Sequence, residues 1–255
     1  MPFTISHAVL APPLAKLSKH FLPLSALAIG TMTPDLFRLF VSSDYGLTHE
    51  WKGIIVPDLL IGLFFCLLWY ALFRPVVFRT IGIKKPLNIN SFDQFCGFVL
   101  RICAALIVGI ATHLIWDGLT HSDFRTFAFN DFLNQKIVLF GHEYVMHRIL
   151  QISTSIIALP ILFWMIIQHI RLYRVDTAIS AKMKRFAFGL IGLATICGLI
   201  NYAQFALTDG LAFWSKDLYL YIGRSINQFS RAWLLIFSLG CAVFLFLDYR
   251  KYFDR

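Results

Sequence analysis

The residues best suited to chemistry lie in one short stretch, Thr112-His113-Leu114-Ile115-Trp116-Asp117-Gly118-Leu119-Thr120-His121. On an α-helix, positions four apart share a face with Cβ atoms about 5–6 Å apart. His113, Asp117 and His121 therefore follow one another along a single stripe. Imidazole nitrogen and carboxylate oxygen are donors that a divalent ion such as zinc takes at about 2.0–2.2 Å. One such pair also fits an ordinary helix end, where His and Asp bond to each other or to water. Its company favours a metal: His7 near the start, Asp35 after Pro34, His49 five residues before an apolar run beginning at Ile54, and Asp58 one turn inside that run. Ionisable groups within membrane segments are usually paired or functional. The competing reading of the same residues is a polar rim in contact with water.

The elements that must position these groups are set by composition. Of the 255 residues, 58% are hydrophobic and 15% charged, with 26 Phe and a mean hydropathy of +0.69. Soluble domains carry about 45–50% apolar and about 25% charged residues, so a water-soluble enzyme, a disordered chain and a disulfide scaffold are all excluded. A helix needs about 20 apolar residues to cross a bilayer. Stretches 54–73, 95–116, 149–168, 186–207 and 229–247 meet that length. The segment Ile5–Leu17, interrupted by Pro12-Pro13, and the run Leu22–Met32 are each too short, and together read as a helical hairpin or one irregular span. A hairpin would bring His7 back beside Asp35. The expected fold is thus all-α, a polytopic membrane helical bundle forming one integral domain over residues 1–255.

Lys and Arg of short loops stay on the cytoplasmic side. The hairpin tip, loops 74–94 and 169–185 and the tail 248–255 carry 14 basic and 4 acidic residues, whereas 31–53, 117–148 and 208–228 carry 7 basic and 9 acidic ones. The two sets alternate along the chain, which predicts a cytoplasmic C-terminus and places His49, His113, His121, His142 and His147 toward the outside. This bias accounts for the net charge of +9 without nucleic acid, for which there is no basic helix or recognition motif. The five cysteines form no C-x-x-C pair and read as small buried hydrophobes. Asn201 and Gln204 read as groups that hydrogen-bond between helices.

The residues Pro2-Phe3-Thr4-Ile5-Ser6-His7, the segment from Leu24 to Met32-x-Pro34-Asp35, Thr48-His49 before Gly53, His113-x-x-x-Asp117-x-x-Thr120-His121 and Leu150-Gln151-x-Ser153-Thr154-Ser155 resemble an uncharacterised family of bacterial multi-pass membrane proteins. The resemblance runs from residue 2 to about residue 160. The order His, Pro-Asp, His, His-x-x-x-Asp is also similar to the predicted inner-membrane metal-dependent hydrolases, in which the histidine matching His49 is often followed by Ser where this chain has Glu50. The resemblance implies a bacterial inner-membrane location and a divalent metal, zinc foremost, held by His7, Asp35, His49, His113 and Asp117, with His121 in support.

Two functions remain open from the sequence. The first is a metal-dependent hydrolase acting at the outer membrane boundary on a lipid, a lipid-linked phosphate or ester, or a small molecule. Asp58 or Glu50 would serve as its base and Arg125 or Arg148 as its phosphate contact. The second is a non-enzymatic protein that uses the cluster for ion binding, transport or assembly. A Ser/His/Asp site lacks its G-x-S-x-G elbow, and His142-Glu143 lacks a second histidine at H-E-x-x-H spacing.

Overall fold

The computed structural model describes residues 4–41, 46–175, 179–210, 214 and 218–254; Pro2 and Phe3 of the opening motif fall outside them. The fold is all-α, and five helices are long and apolar enough to cross a membrane: α3 (Trp51–Ile81), α4 (Phe92–Thr120), α5 (Met146–Tyr173), α6 (Ala181–Asp209) and the last, α7, over Leu220–Tyr249. The protein is a multi-pass membrane protein. Each span expected from the sequence is present and runs past the apolar stretch at both ends, because polar and charged residues continue the helix. Ser91 accepts from the Gln94 amide to start α4 and Ser180 from the Met183 amide to start α6, as helix N-caps do.

The first two helices, α1 (Ala11–Leu17) and α2 (Leu24–Leu36), form the hairpin. A 3-10 segment, Thr4–Leu10, leads into α1, with Pro12 and Pro13 in its first turn, where a missing N–H does no harm. The chain reverses at Lys19 and His20, both with positive φ. It returns along itself, so that the Thr4 hydroxyl donates to Asp35 Oδ2 at 3.0 Å.

Contacts divide the chain into two compact units, one of residues 1–66 and 88–167 and one of residues 67–87 and 168–255. In the first, α2 crosses α4 at a pair of glycines. A Cβ on Gly30 would lie 2.7 Å from the Leu106 carbonyl oxygen, and one on Gly109 would lie 2.7 Å from both the Leu27 carbonyl oxygen and the Thr31 nitrogen. Only glycine admits this backbone-to-backbone approach. Ala26, Leu27, Ala105, Leu106 and Ile110 are fully buried around it. The start of α3 is irregular: Val56, before Pro57, has φ −136° and ψ 115°, and Asp58 just after it is completely buried. Between α4 and α5 lies a feature that the hydropathy pattern does not show, a two-stranded antiparallel hairpin of β1 (Lys136–Leu139) and β2 (His142–Val145), turned at Phe140-Gly141.

In the second unit, α6 packs on α7 around Met183, Leu190, Cys241 and Phe244, with Val76 and Phe253 completing the core. Asn201 donates to the Gln228 carbonyl at 2.6 Å, the interhelical bond expected of it. Arg79 reaches Asp254 at 2.8 Å and Asp248 at 3.4 Å. All five cysteines are free and none is exposed, in keeping with a packing role.

Candidate metal centre

Four elements of the first unit bring their polar residues to one place. The opening 3-10 segment supplies His7, the last turn of α2 Asp35, a short 3-10 turn (Gly46–His49) His49, the last turns of α4 His113 and Asp117, and the residue that ends α4 His121. All six are buried. His7 and His113 are stacked, with ring centroids 3.9 Å apart, and His49 meets His113 edge-on at 5.4 Å.

Two overlapping donor triads result, His7/Asp35/His113 and His49/His113/Asp117, each with its donor atoms within 4.8 Å of one another. Two donors each about 2.1 Å from one ion can be at most about 4.2 Å apart. Four carboxylate–imidazole separations meet that limit. His49 Nε2 lies 3.4 Å from Asp35 Oδ1 and 3.8 Å from Asp117 Oδ2, His113 Nε2 lies 3.5 Å from Asp117 Oδ2, and His7 Nε2 lies 3.9 Å from Asp117 Oδ1. His121 is attached to the same carboxylate by its Nδ1, 3.5 Å from Asp117 Oδ1 and 3.1 Å from the Asp117 carbonyl.

The surroundings orient these rings. His113 Nδ1 lies 2.8 Å from the Thr31 carbonyl oxygen, which can only accept, so Nδ1 carries the proton and Nε2 presents its lone pair to the cluster. That contact exists because the Gly30/Gly109 crossing lets α2 and α4 touch. His49 Nδ1 lies 3.0 Å from the Thr48 hydroxyl, which can donate or accept, and its Nε2 faces Asp35 and Asp117. Gln151 of α5 donates to the Thr120 carbonyl at 2.9 Å, tying the start of α5 to the end of α4. Burial pushes the His49 pKa down against the opposing pull of Asp35. Burial pushes His121 down to about 3, opposed by Asp117 and aided by Arg125. Both imidazoles are therefore neutral near pH 7, the form in which histidine binds a metal.

Three buried nitrogens, Nδ1 and Nε2 of His7 and Nε2 of His113, have no hydrogen-bond partner among the described residues. Buried polar atoms are nearly always satisfied, so each exception asks for an explanation. The donor types, their spacing and these orphaned nitrogens fit a divalent cation.

The other residues singled out from the sequence are placed as follows. Asp58 is fully buried near His113, and neither carboxylate oxygen has a hydrogen-bond partner among the described residues. Glu50 instead stands half-exposed at the head of the Trp51–Gly53 turn with Oε2 2.7 Å from the Lys52 ammonium, so this neighbour of His49 is directed to a surface ion pair. Arg125 reaches Asp117 Oδ2 at 2.9 Å and is itself gripped by Asp123, through Nε at 2.9 Å and through its terminal nitrogen. Arg148 is half-buried in the first turn of α5. His142 is exposed on β2, and His147 contacts the Leu133 carbonyl at 3.2 Å.

A family model described as a domain of unknown function (DUF4184) matches residues 1–243. The chain belongs to the DUF4184 family. The DUF4184 match takes in every residue of the cluster and also α6 and most of α7, well beyond the first 160 residues that carry the motif resemblance. No curated protein and no solved structure matches the chain. In this DUF4184 protein the sequence motifs pointed to the donors but not to Arg38, whose Nη1 lies 3.4 Å from Asp35 Oδ1. The i,i+3 spacing of Asp35 and Arg38 at a helix end was its available signal.

Proposed function

We propose that the protein is a membrane-embedded metal-dependent hydrolase, located in the bacterial inner membrane with its site at the extracytoplasmic ends of the helices. The observation that carries this reading is the buried set of imidazoles and carboxylates, in which three imidazole nitrogens have no hydrogen bond among the described residues. His7, Asp35, His49, His113 and Asp117 would hold the ion, zinc being the best match to this nitrogen and oxygen donor set. A divalent ion in such a site polarises an ester or phosphoryl oxygen and lowers the pKa of water to about 7.

The chain's own residues then divide the remaining work. The Thr31 carbonyl holds the His113 ring with Nε2 toward the cluster, and the Thr48 hydroxyl contacts the His49 ring. Asp58, buried beside His113 with both oxygens uncommitted, is the group placed to accept a proton, a role for which Glu50 is turned the wrong way. Arg125, held by Asp123 and donating to Asp117, places a fixed positive charge beside the site that would attract an anionic group. A substrate anchored in the bilayer, such as a lipid or lipid-linked phosphate or ester, reaches a site at the end of the spans by lateral diffusion.

The test is hydrolysis of phosphate and carboxyl esters, soluble and lipid-anchored, by the protein purified in detergent, with and without chelator. Chelator-sensitive turnover that zinc restores and Asp58→Asn abolishes supports the reading. Stoichiometric metal with no turnover of either ester class would leave the ion-binding alternative in its place.

A further inference from the structure

Arg101 lies on α4 well away from the donor cluster, twelve residues and so about 18 Å along the helix from His113. Counted from Phe95, where the apolar stretch begins, it stands about 9 Å inside that stretch at 1.5 Å per residue. Its Nε donates to the Gly97 carbonyl at 3.2 Å, which turns the side chain back toward the start of α4, and its guanidinium carbon lies 5.9 Å from the centre of the Phe98 ring. No carboxylate of the described residues pairs with it. A charge at that depth is costly to leave without a counter-charge.

A groove of about 470 Å³ surrounds this guanidinium, lined by Phe21, Gln94, Gly97, Leu100, Arg101 and Ala104. Gln94, Gly97, Arg101 and Ala104 follow one another at steps of three and four residues and so share one stripe of α4. The small residues Gly97 and Ala104 flank Arg101 and leave the hollow open; a Cβ on Gly97 would meet nothing within 4 Å. Phe21, from the reversal between α1 and α2, supplies the facing wall. Phe21 and Leu100 are 62% and 70% exposed, so the groove opens sideways, on the surface that a span presents to lipid. Lys16 and Lys19 are exposed at the same end of the hairpin. Residues 14–24 and 88–104 together hold Lys16, Lys19 and Arg101 against one acidic residue, Asp93.

The occupant must therefore carry negative charge and apolar chains together. A soluble anion would pair with Arg101 and leave the apolar walls uncovered. A zwitterionic lipid would bring a further cation among three positive charges. An anionic lipid satisfies both demands, and basic residues at the cytoplasmic surface, the side to which the loop charges assign this end of α4, attract such lipids.

We propose that this groove binds one anionic glycerophospholipid, its phosphodiester on the Arg101 guanidinium with Lys16 and Lys19 adding attraction, and its acyl chains along Phe21, Leu100 and Ala104. The lipid would bridge the tip of the hairpin to α4, the two elements that carry His7, Asp35, His113 and Asp117 at their other ends. The proposal does not depend on the metal-centre reading.

The delipidated full chain in detergent is titrated with dioleoyl phosphatidylglycerol and, separately, with dioleoyl phosphatidylcholine, and bound lipid is counted by native mass spectrometry. The wild type is expected to retain one phosphatidylglycerol at least about tenfold more tightly than phosphatidylcholine. Arg101→Gln weakens phosphatidylglycerol binding about tenfold, the worth of one charge-assisted hydrogen bond, and Arg101→Lys weakens it less. Gly97→Leu keeps the charge but fills the hollow, and abolishes the preference. Lys184→Gln, which changes an exposed lysine of α6 outside the groove, leaves it intact. All four variants keep the wild-type helical content by circular dichroism. Equal retention of the two lipids by the wild type, as lipid coating any span would show, overturns the proposal. So does a preference that survives either Arg101→Gln or Gly97→Leu, or that falls as far in Lys184→Gln. A wild-type dimer that Gly97→Leu splits also overturns it, because a second copy then covers the groove.

Discussion

His7 is the most telling side chain in the protein, because it is fully buried, stacked on His113, and without a hydrogen bond at either nitrogen among the described residues. Replacing a buried, unsatisfied polar group by an apolar one of similar volume is nearly neutral or stabilising. His7→Leu is therefore expected to leave the melting temperature of the metal-free protein unchanged or higher while removing metal binding; a structural histidine would show the reverse, metal retained and stability lost. Asp117 behaves differently, since it faces His7, His49, His113, His121 and Arg125 together. Asp117→Asn should lose the metal and also about 1–3 kcal/mol of folding stability, read by chemical denaturation in detergent. At this scale much was legible in the sequence: the i,i+4 stripe and the Pro-Asp and Thr-His pairs point to the residues that converge. What could not be read is direction. Glu50 and His49 are adjacent, yet a tight 3-10 turn sends one to Lys52 and the other into the cluster, and only backbone geometry decides that.

The elements place the site through the contact of α2 with α4. Gly30 and Gly109 meet there with no room for a methyl group, and the Thr31 carbonyl reaches His113 one turn beyond. Gly109→Ala should separate the helices, cost about 1–3 kcal/mol by overpacking, and weaken metal affinity although residue 109 touches no donor. Gly97→Ala and Gly192→Ala, where an added Cβ meets nothing within 4 Å, serve as controls and should be neutral or stabilising, as expected where Ala replaces Gly without strain. The sequence suggested the hairpin and with it the meeting of His7 and Asp35, because Pro12-Pro13 and the shortness of Leu22–Met32 argue against a straight span. It did not reveal the glycine crossing, since the meaning of a small residue depends on the helix facing it. Nor did hydropathy show the β1–β2 hairpin, whose strands are short and largely exposed.

For the whole molecule, the five spans were legible because bilayer thickness fixes their minimum length, whereas their ends depend on capping and solvation and extend further than hydropathy alone suggests. The alternation of basic and mixed loops predicts which side each loop faces. Phe140, fully exposed at the tip of the β1–β2 hairpin, and Tyr252, exposed just after α7, lie in segments of opposite expectation. In a cysteine-free background, Phe140→Cys should react with a membrane-impermeant maleimide on intact cells, and Tyr252→Cys only after permeabilisation. Labelling of both from one side would refute the charge-derived topology and with it an extracytoplasmic site.

The central claim is that chain segments more than a hundred residues apart build one cation site from His7, Asp35, His49, His113 and Asp117. Metal quantification on the detergent-purified chain, equilibrated with zinc and dialysed without chelator, tests it most directly, alongside His113→Ala and His7→Leu. The account requires at least one tightly held ion per chain in the wild type and its loss in both variants. A wild-type protein free of stoichiometric metal, or variants that retain it in full, would contradict the account.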